Sequence, residues 1–158
     1  ALSLLEEVIG QFLEARGREG DKLAAGIAER VEGIARIAAE VRLMMPAIRD
    51  GLRARMEARV ADLAQPLEPG RLEQELVLWL QKLDVDEELD RLDSHVEEIG
   101  RVLAQDGPVG RRLDFLLQEF NREANTLGSK SVDRRTSQAA VELKVLIDQV
   151  REQVQNLE

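Results

Sequence analysis

The 158-residue sequence contains no cysteine. Disulfide bonds, thiolate catalysis and zinc–thiolate sites are therefore excluded, and we expect the protein to reside in a reducing cytoplasm. No apolar run approaches the roughly 18 residues that a membrane-spanning helix needs, so we expect no membrane segment. No signal peptide is visible. The first residue is Ala1 rather than methionine, which is expected of a piece of a longer chain.

Aromatic residues are also scarce, at 3% of the chain; they are Phe12, Trp79, Phe115 and Phe120. Platforms on which nucleic-acid bases could stack are therefore nearly absent. The short segments "EPG" and "DGPVG" match no phosphate-binding or dinucleotide-binding loop. With a single histidine, His95, no Ser-His-Asp order can be claimed.

The residues that are abundant predict an all-α fold. Charged residues make up 34% of the chain, and apolar residues recur in alternating steps of four and three. We predict a helical first 17 residues and a long helix from about 20 to 64. Pro46 either kinks this helix or marks two helices that meet there. The stretch "QPLEPG" breaks the pattern and divides the chain into regions 1–65 and 66–158.

The second region is predicted to be helical to its end. Residues 70–105 form either two helices or one long helix, which packs back on the first as an antiparallel hairpin. A further helix starts near residue 111, with Gly128 as its predicted C-cap. Its predicted apolar face consists of Leu113, Leu116, Leu117, Phe120, Ala124 and Leu127. Asp133 can cap the last helix.

The net charge of −9 argues at first against nucleic acid. Charge is nevertheless separated along the chain. Residues 84–106 carry a net of −7, whereas 42–59 carry +3 and 109–135 carry +2. This arrangement suits a polyanion together with a cation, or it pairs internally as salt bridges; both interpretations stay open.

The stretch "FNREANTLGSKS" (120–131) holds polar side chains that fit a helix less well than Glu, Lys, Gln or Ala would. Glu119 and Glu123 are four residues apart and share a helix face. Gln118, Arg122 and Asn125 line a neighbouring stripe. Binding of a base or phosphate and binding of a metal could therefore be neighbours here.

A second polar stripe is formed by Asp84, Glu88, Arg91 and His95, in steps of four, three and four. Two carboxylates beside an arginine and a histidine can bind a hard divalent cation and handle a proton. The alternative is ordinary: helix-surface ion pairs and an inert histidine.

Three stretches carry a resemblance to a known family: "LEQELVLWLQKLDVDEELDRLDSHVEEI", "GRRLDFLLQEFNREANTLGSKS" and "VELKVLIDQVREQVQNLE". From about Arg71 to Glu158 the chain resembles the C-terminal half of the bacterial YicC/YloC family. The "R-x-x-E-G" at residues 16–20 is similar to the family's middle region. The resemblance implies a metal-dependent endoribonuclease, described as stress-induced, that acts on RNA and assembles as a hexamer. It also implies a further N-terminal domain that this chain lacks.

The resemblance, combined with the chemistry of phosphodiester cleavage, gives a hypothesis for each role. Glu119 and Glu123, with Glu88, would hold Mg²⁺ or Mn²⁺, and His95 would be the acid or base. These four residues are the predicted catalytic set. The predicted RNA-binding residues are Arg111, Arg112, Gln118, Asn121, Arg122, Asn125, Ser129 and Lys130. They would grip phosphates, base edges or the 2′-hydroxyl.

Two other functions remain open from the sequence. One is a non-catalytic RNA-binding adaptor that delivers RNA to another nuclease. The other is a helical oligomerisation arm, in which the seams at 27–52 and 85–103 build a ring and the charge pattern forms salt bridges between subunits.

Overall fold

The computed structural model describes residues 2–157 and confirms the all-α fold. It contains five helices: α1 (Leu2–Ala61), α2 (Arg71–Leu83), α3 (Asp86–Leu103), α4 (Gly110–Lys130) and α5 (Arg134–Leu157). Between residues 2 and 157 there is no strand, and no helix there has the length and apolar character needed to cross a bilayer.

Helix α1 is continuous over 60 residues and includes Pro46. The alternative of two helices meeting near this proline is therefore wrong, and the predicted N-terminal helix and long helix are one element. Pro46 is exposed, whereas Met45 and Ile48 on either side are buried. The apolar seam thus continues past the proline, and packing of the seam stabilises the helix across it.

Helices α2 and α3 are separate, so the alternative of one helix over 70–105 is wrong. The Asp84 carboxylate accepts a hydrogen bond of 3.0 Å from the backbone N–H of Asp86, which starts α3. Val85 has a non-helical φ of −119° and is buried, as is Leu83. The turn therefore lets both Leu83, the last residue of α2, and Val85, directly before α3, enter the core.

The core lies between α1, α3, α4 and α5. Helix α5 packs along α1 and α4, and α3 packs on the same two helices from another side. At Gly33 an added Cβ would lie 3.1 Å from Leu146 Cδ1, so the glycine permits the close approach of α1 and α5. Helix α1 shares one core with the later helices. The division of the chain into regions 1–65 and 66–158 stays a prediction.

The ends of α4 and α5 meet at a short polar turn. Helix α4 continues past Gly128 to Lys130, and positive φ among residues 2–157 occurs only at Gly70 and Gly107, so the predicted cap at Gly128 is wrong. The predicted cap at Asp133 is confirmed, because its carboxylate accepts the backbone N–H of Arg135 at 2.8 Å. The Arg135 guanidinium, with this N–H, holds the pKa of Asp133 below its ordinary value.

The seams at 27–52 and 85–103 are occupied within the chain. Their residues belong to the shared core or pack against it, so the chain's own helices cover these seams, and the oligomerisation arm stays a prediction. The free apolar surface lies elsewhere. Residues 2–19 of α1 are exposed throughout and extend as an arm, with Leu5, Ile9 and Phe12 along it.

Candidate functional site

Three predicted site residues come together where α3 packs on α4. His95 of α3 and Glu119 and Glu123 of α4 each offer a ligand atom, and these atoms lie within 4.8 Å of one another. We call this group the His–Glu–Glu cluster. Glu119 and Glu123 share the helix face that the i, i+4 spacing predicted, and α3 folds back to bring His95 beside them.

The surroundings of His95 include an unsatisfied polar atom. The ring packs edge-to-face against Phe120, with centroids 5.6 Å apart. Its Nε2 is buried and has no hydrogen-bond partner among the residues that the structure describes. A buried polar atom without a partner is costly and rare in native structures. An imidazole with such an atom beside two carboxylates is a donor set that fits a divalent cation.

Arg91 holds one of the two carboxylates in place. Its Nε donates to Glu123 Oε1 at 3.0 Å, and the Glu123 side chain is only 3% exposed. This hydrogen bond raises the pKa of Arg91 above its ordinary value, and a second one to Glu87 adds to it. The sequence analysis placed Arg91 on the same helix stripe as His95 but gave it no role in the site. Its four-residue spacing from His95 is the signal that could have indicated such a role.

Glu88 lies outside the His–Glu–Glu cluster. Lys130 Nζ donates to Glu88 Oε1 at 2.7 Å and to the Asp84 carbonyl at 3.0 Å. Arg91 lies 3.7 Å from the same carboxylate. Glu88 is buried, and its Oε2 has no partner within residues 2–157. The metal-ligand role predicted for Glu88 stays a prediction, and Lys130 is the group that neutralises it here.

The predicted RNA-binding residues lie on three parts of the α4 surface. One group lies on the exposed side: Arg111, Gln118, Arg122, Asn125 and Ser129. We call this side, which also carries Phe115, the outer face of α4. Arg112 and Lys130 face α3, where Arg112 donates to Glu98 at 2.6 Å. Asn121 is half-buried on the opposite flank.

Cations on the outer face have few partners. Arg122 reaches only Glu119, at 3.7 Å, and Arg111 makes no ion pair or hydrogen bond with another side chain in the part of the chain that the structure describes. The hydroxyl of Ser129 donates to the carbonyl of Thr126, so this side chain bonds within its own helix. The outer face therefore presents positive charge that the fold leaves available.

Much of the remaining charge pairs internally, as the second interpretation of the charge pattern predicted. Arg42 of the basic segment bridges Asp90 and Asp93 of the acidic segment at 2.7 and 3.0 Å, and Arg49 lies 3.7 Å from Asp86. The hydrogen bonds to Asp90 and Asp93 raise the pKa of Arg42. The acidic run of α3 thus neutralises part of α1, whereas the residue that α3 contributes to the His–Glu–Glu cluster is His95.

Comparison with known proteins identifies close relatives. A model of the family described as endoribonuclease YicC-like, C-terminal, matches residues 41–158. The chain is 48% identical over 157 residues to a probable endoribonuclease YicC of Haemophilus influenzae, covering 99% of this chain and 55% of that protein. It is 33% identical to a probable endoribonuclease YicC of Clostridioides difficile, covering 98% of this chain and 54% of that protein. The chain therefore spans about half the length of these relatives.

Proposed function

The chain belongs to the YicC-like endoribonuclease family, and from that membership we propose that its α3–α4 surface binds RNA and a divalent cation for cleavage of RNA phosphodiester bonds. The observation that carries the proposal is the His–Glu–Glu cluster, with the unpartnered Nε2 of His95. Two carboxylates on adjacent turns of α4 and an imidazole from α3 converge there, and Arg91 already donates to one of these carboxylates, that of Glu123.

The donor set favours Mn²⁺ over Mg²⁺. An all-carboxylate set of Glu88, Glu119 and Glu123 would suit either ion, but replacing Glu88 by His95 adds a nitrogen donor. Mg²⁺ prefers oxygen ligands and keeps several waters, whereas imidazole is a better ligand for the transition metals. When bound, the cation would neutralise the charge that develops on a scissile phosphate.

The residues of the chain would divide the remaining tasks. Arg91 fixes the Glu123 carboxylate, so its orientation is set before any ligand arrives. Arg111 and Arg122 would bind phosphates next to the cluster. The one lone pair of a neutral imidazole cannot bind a cation and take a proton at once, so His95 would act either as the nitrogen ligand or, with that nitrogen free, as the group that removes a proton from the attacking hydroxyl or supplies one to the leaving oxygen.

Amides on α4 would contribute recognition. Gln118 and Asn125 are exposed beside Arg122, where their side chains would contact base edges or a 2′-hydroxyl. Asn121 is half-buried, so less of its side chain is accessible to RNA. Arg112 and Lys130 already pair with Glu98 and Glu88, so they would contact a phosphate only by sharing or exchanging these carboxylate partners.

The test is cleavage of a labelled, partly single-stranded RNA by this chain, in Mn²⁺, in Mg²⁺ and in chelator. The longer Haemophilus influenzae relative would serve as a second enzyme. We expect cleavage that chelator abolishes and that Glu119→Gln and His95→Ala each lower at least about a hundredfold. Glu97→Gln, an exposed glutamate of α3 outside the cluster, is the matched control.

Two results would contradict the proposal. Cleavage that persists in chelator, or that Glu119→Gln leaves unchanged, would remove the metal role of the cluster. RNA binding by a highly purified chain without any metal-dependent cleavage would instead favour the adaptor function, in which RNA is delivered to another nuclease.

A second function follows from the exposed arm. Leu2, Leu5, Ile9 and Phe12 recur in steps of three, four and three and are all exposed, which is the spacing of a helical pairing seam. We propose that the arm joins copies of this chain. Light scattering should give a mass above that of a monomer, and Leu5→Asp with Ile9→Asp should reduce it. A monomeric parent chain would contradict this role.

A further inference from the structure

We propose that Phe115 is a stacking platform for a base of single-stranded RNA, beside the His–Glu–Glu cluster. The inference rests on the proposed function, because it takes RNA as the ligand of this surface. It assigns a substrate-positioning role to a residue that the sequence pattern gave no function.

The position of Phe115 on α4 is unusual among the apolar residues of that helix. Leu113, Leu116, Leu117, Phe120, Ala124 and Leu127 are all buried, whereas Phe115 is 60% exposed. A single exposed apolar residue is normal on a protein surface and needs no function. The argument therefore depends on what surrounds this ring.

The neighbours of Phe115 on the outer face suit a nucleotide. Arg111 lies one turn before it and Gln118 one turn after, so both share its side of the helix. Arg122 follows two turns after Phe115, and its side chain is 73% exposed. Aromatic rings flanked by exposed cations and amides are the composition of surfaces that bind single-stranded nucleic acid. An apolar protein surface packed on this ring would offer the neighbouring arginines no negative charge, whereas the phosphates of RNA would.

The distance to the His–Glu–Glu cluster is also suitable. Glu119 is four residues after Phe115, one helical turn or about 6 Å along the axis. A base stacked on the ring would therefore have its own phosphate, or the next one, close to the cluster. Bases in a duplex are stacked on each other, so a protein ring can engage them only in single-stranded segments.

The experiment measures binding of a labelled single-stranded RNA in chelator, so that no cleavage intervenes. Phe115→Ala and Phe115→Leu should each weaken binding by about five- to a hundredfold, and Phe115→Tyr should retain it. Leucine keeps the apolar surface but lacks a flat ring. Val141→Ala trims an apolar side chain of α5 that is 55% exposed and has no assigned role, and it should leave affinity unchanged.

A second ligand separates stacking from charge. A ribose-phosphate strand of the same length without bases should bind the parent chain as weakly as it binds Phe115→Ala. If Phe115→Leu binds RNA like the parent, or if Phe115→Ala changes the mass of the particle but not its RNA affinity, the inference is overturned. The latter result would assign this face to contacts between copies of the chain. Absence of RNA binding by the parent at low salt would also overturn it.

The outcomes separate this inference from the proposed function. Loss of binding on removal of the ring, in a chain that does not cleave RNA, would retain Phe115 as a platform and reject the catalytic proposal. Metal-dependent cleavage with unchanged RNA affinity in the Phe115 variants would retain the catalytic proposal and reject Phe115 as a platform.

Discussion

Replacement of Arg91 by methionine should destabilise the chain more than the loss of any other solvent-accessible arginine on α1 or α3. Arg91 is 42% exposed, but the Glu123 carboxylate to which it donates is 3% exposed. Methionine keeps the aliphatic stem and removes the charge. Glu123 would then remain buried beside Glu119 without its cation.

The magnitude follows from burial. The Glu123 carboxylate is 3% exposed, and a buried acceptor that loses its hydrogen-bond partner costs about 1–3 kcal/mol. We assign no energy to the exposed Arg91 itself, so the expected loss is about 2 kcal/mol and belongs to Glu123. For a chain of this size that corresponds to a fall in melting temperature of roughly 4–8 °C.

Arg42→Met is the matched control. Arg42 also pairs with two carboxylates, those of Asp90 and Asp93, but these are 73% and 49% exposed. Exposed pairs contribute about 0–1 kcal/mol, so this variant should unfold close to the parent.

Urea unfolding followed by circular dichroism measures both variants. The reasoning is refuted if Arg91→Met loses no more free energy of unfolding than Arg42→Met does. That result would mean that Glu123 finds another partner or enough water when Arg91 is removed.

Three further predictions concern stability. Lys130→Met should cost about 1–3 kcal/mol in urea unfolding, since it leaves the buried Glu88 carboxylate without its 2.7 Å partner. Leu143→Ala should cost about 2–5 kcal/mol in the same assay, because its side chain is fully buried between α5 and its neighbours. Asp133→Ala should cost about 1 kcal/mol near neutral pH as a lost helix cap. Its pKa in the folded chain is lowered from 3.8 by Arg135, so the carboxylate stabilises the fold above that value. The deficit of Asp133→Ala in melting temperature should therefore shrink as pH falls below about 4.

Controls within the chain make these results interpretable. Val145→Ala, on the exposed side of α5, should change stability by less than about 0.5 kcal/mol. Lys144→Met removes an exposed lysine of the same helix and should likewise be nearly neutral. Loss of stability in these controls equal to that in Leu143→Ala or Lys130→Met would contradict the burial argument. A deficit of Asp133→Ala that stays constant down to pH 3 would contradict its assignment to the carboxylate.

The helices could be predicted because the apolar spacing is regular and the packing obeys it. Leu113, Phe120 and Leu127 are buried as their spacing indicated. The interruptions were harder to predict. Pro46 is a strong local signal that the continuous seam overrides, whereas the turn at Val85 contains neither glycine nor proline and depends on burial in the tertiary structure.

The site was predictable where it depends on a single helix. The shared face of Glu119 and Glu123 follows from their spacing alone. The approach of His95 to the two glutamates depends on how α3 packs against α4. From the sequence, His95 could be predicted to join them only if α3 folds back onto α4. Glu88 and Lys130 show the limit of such reasoning, because two groups predicted to bind ligands bind each other. The sequence indicated the exposure of Phe115 in one way only: this residue does not fall on the apolar face of α4.

Binding of Mn²⁺ to this chain tests the central claim most directly. Titration followed by electron paramagnetic resonance reports bound and free Mn²⁺ without RNA or cleavage. We predict one site in the parent chain, weakened about tenfold or more by Glu119→Gln and by His95→Ala, and unchanged by Glu97→Gln. A parent chain that binds no Mn²⁺, or one whose affinity is the same in all three variants, would contradict the assignment of the His–Glu–Glu cluster as a metal site.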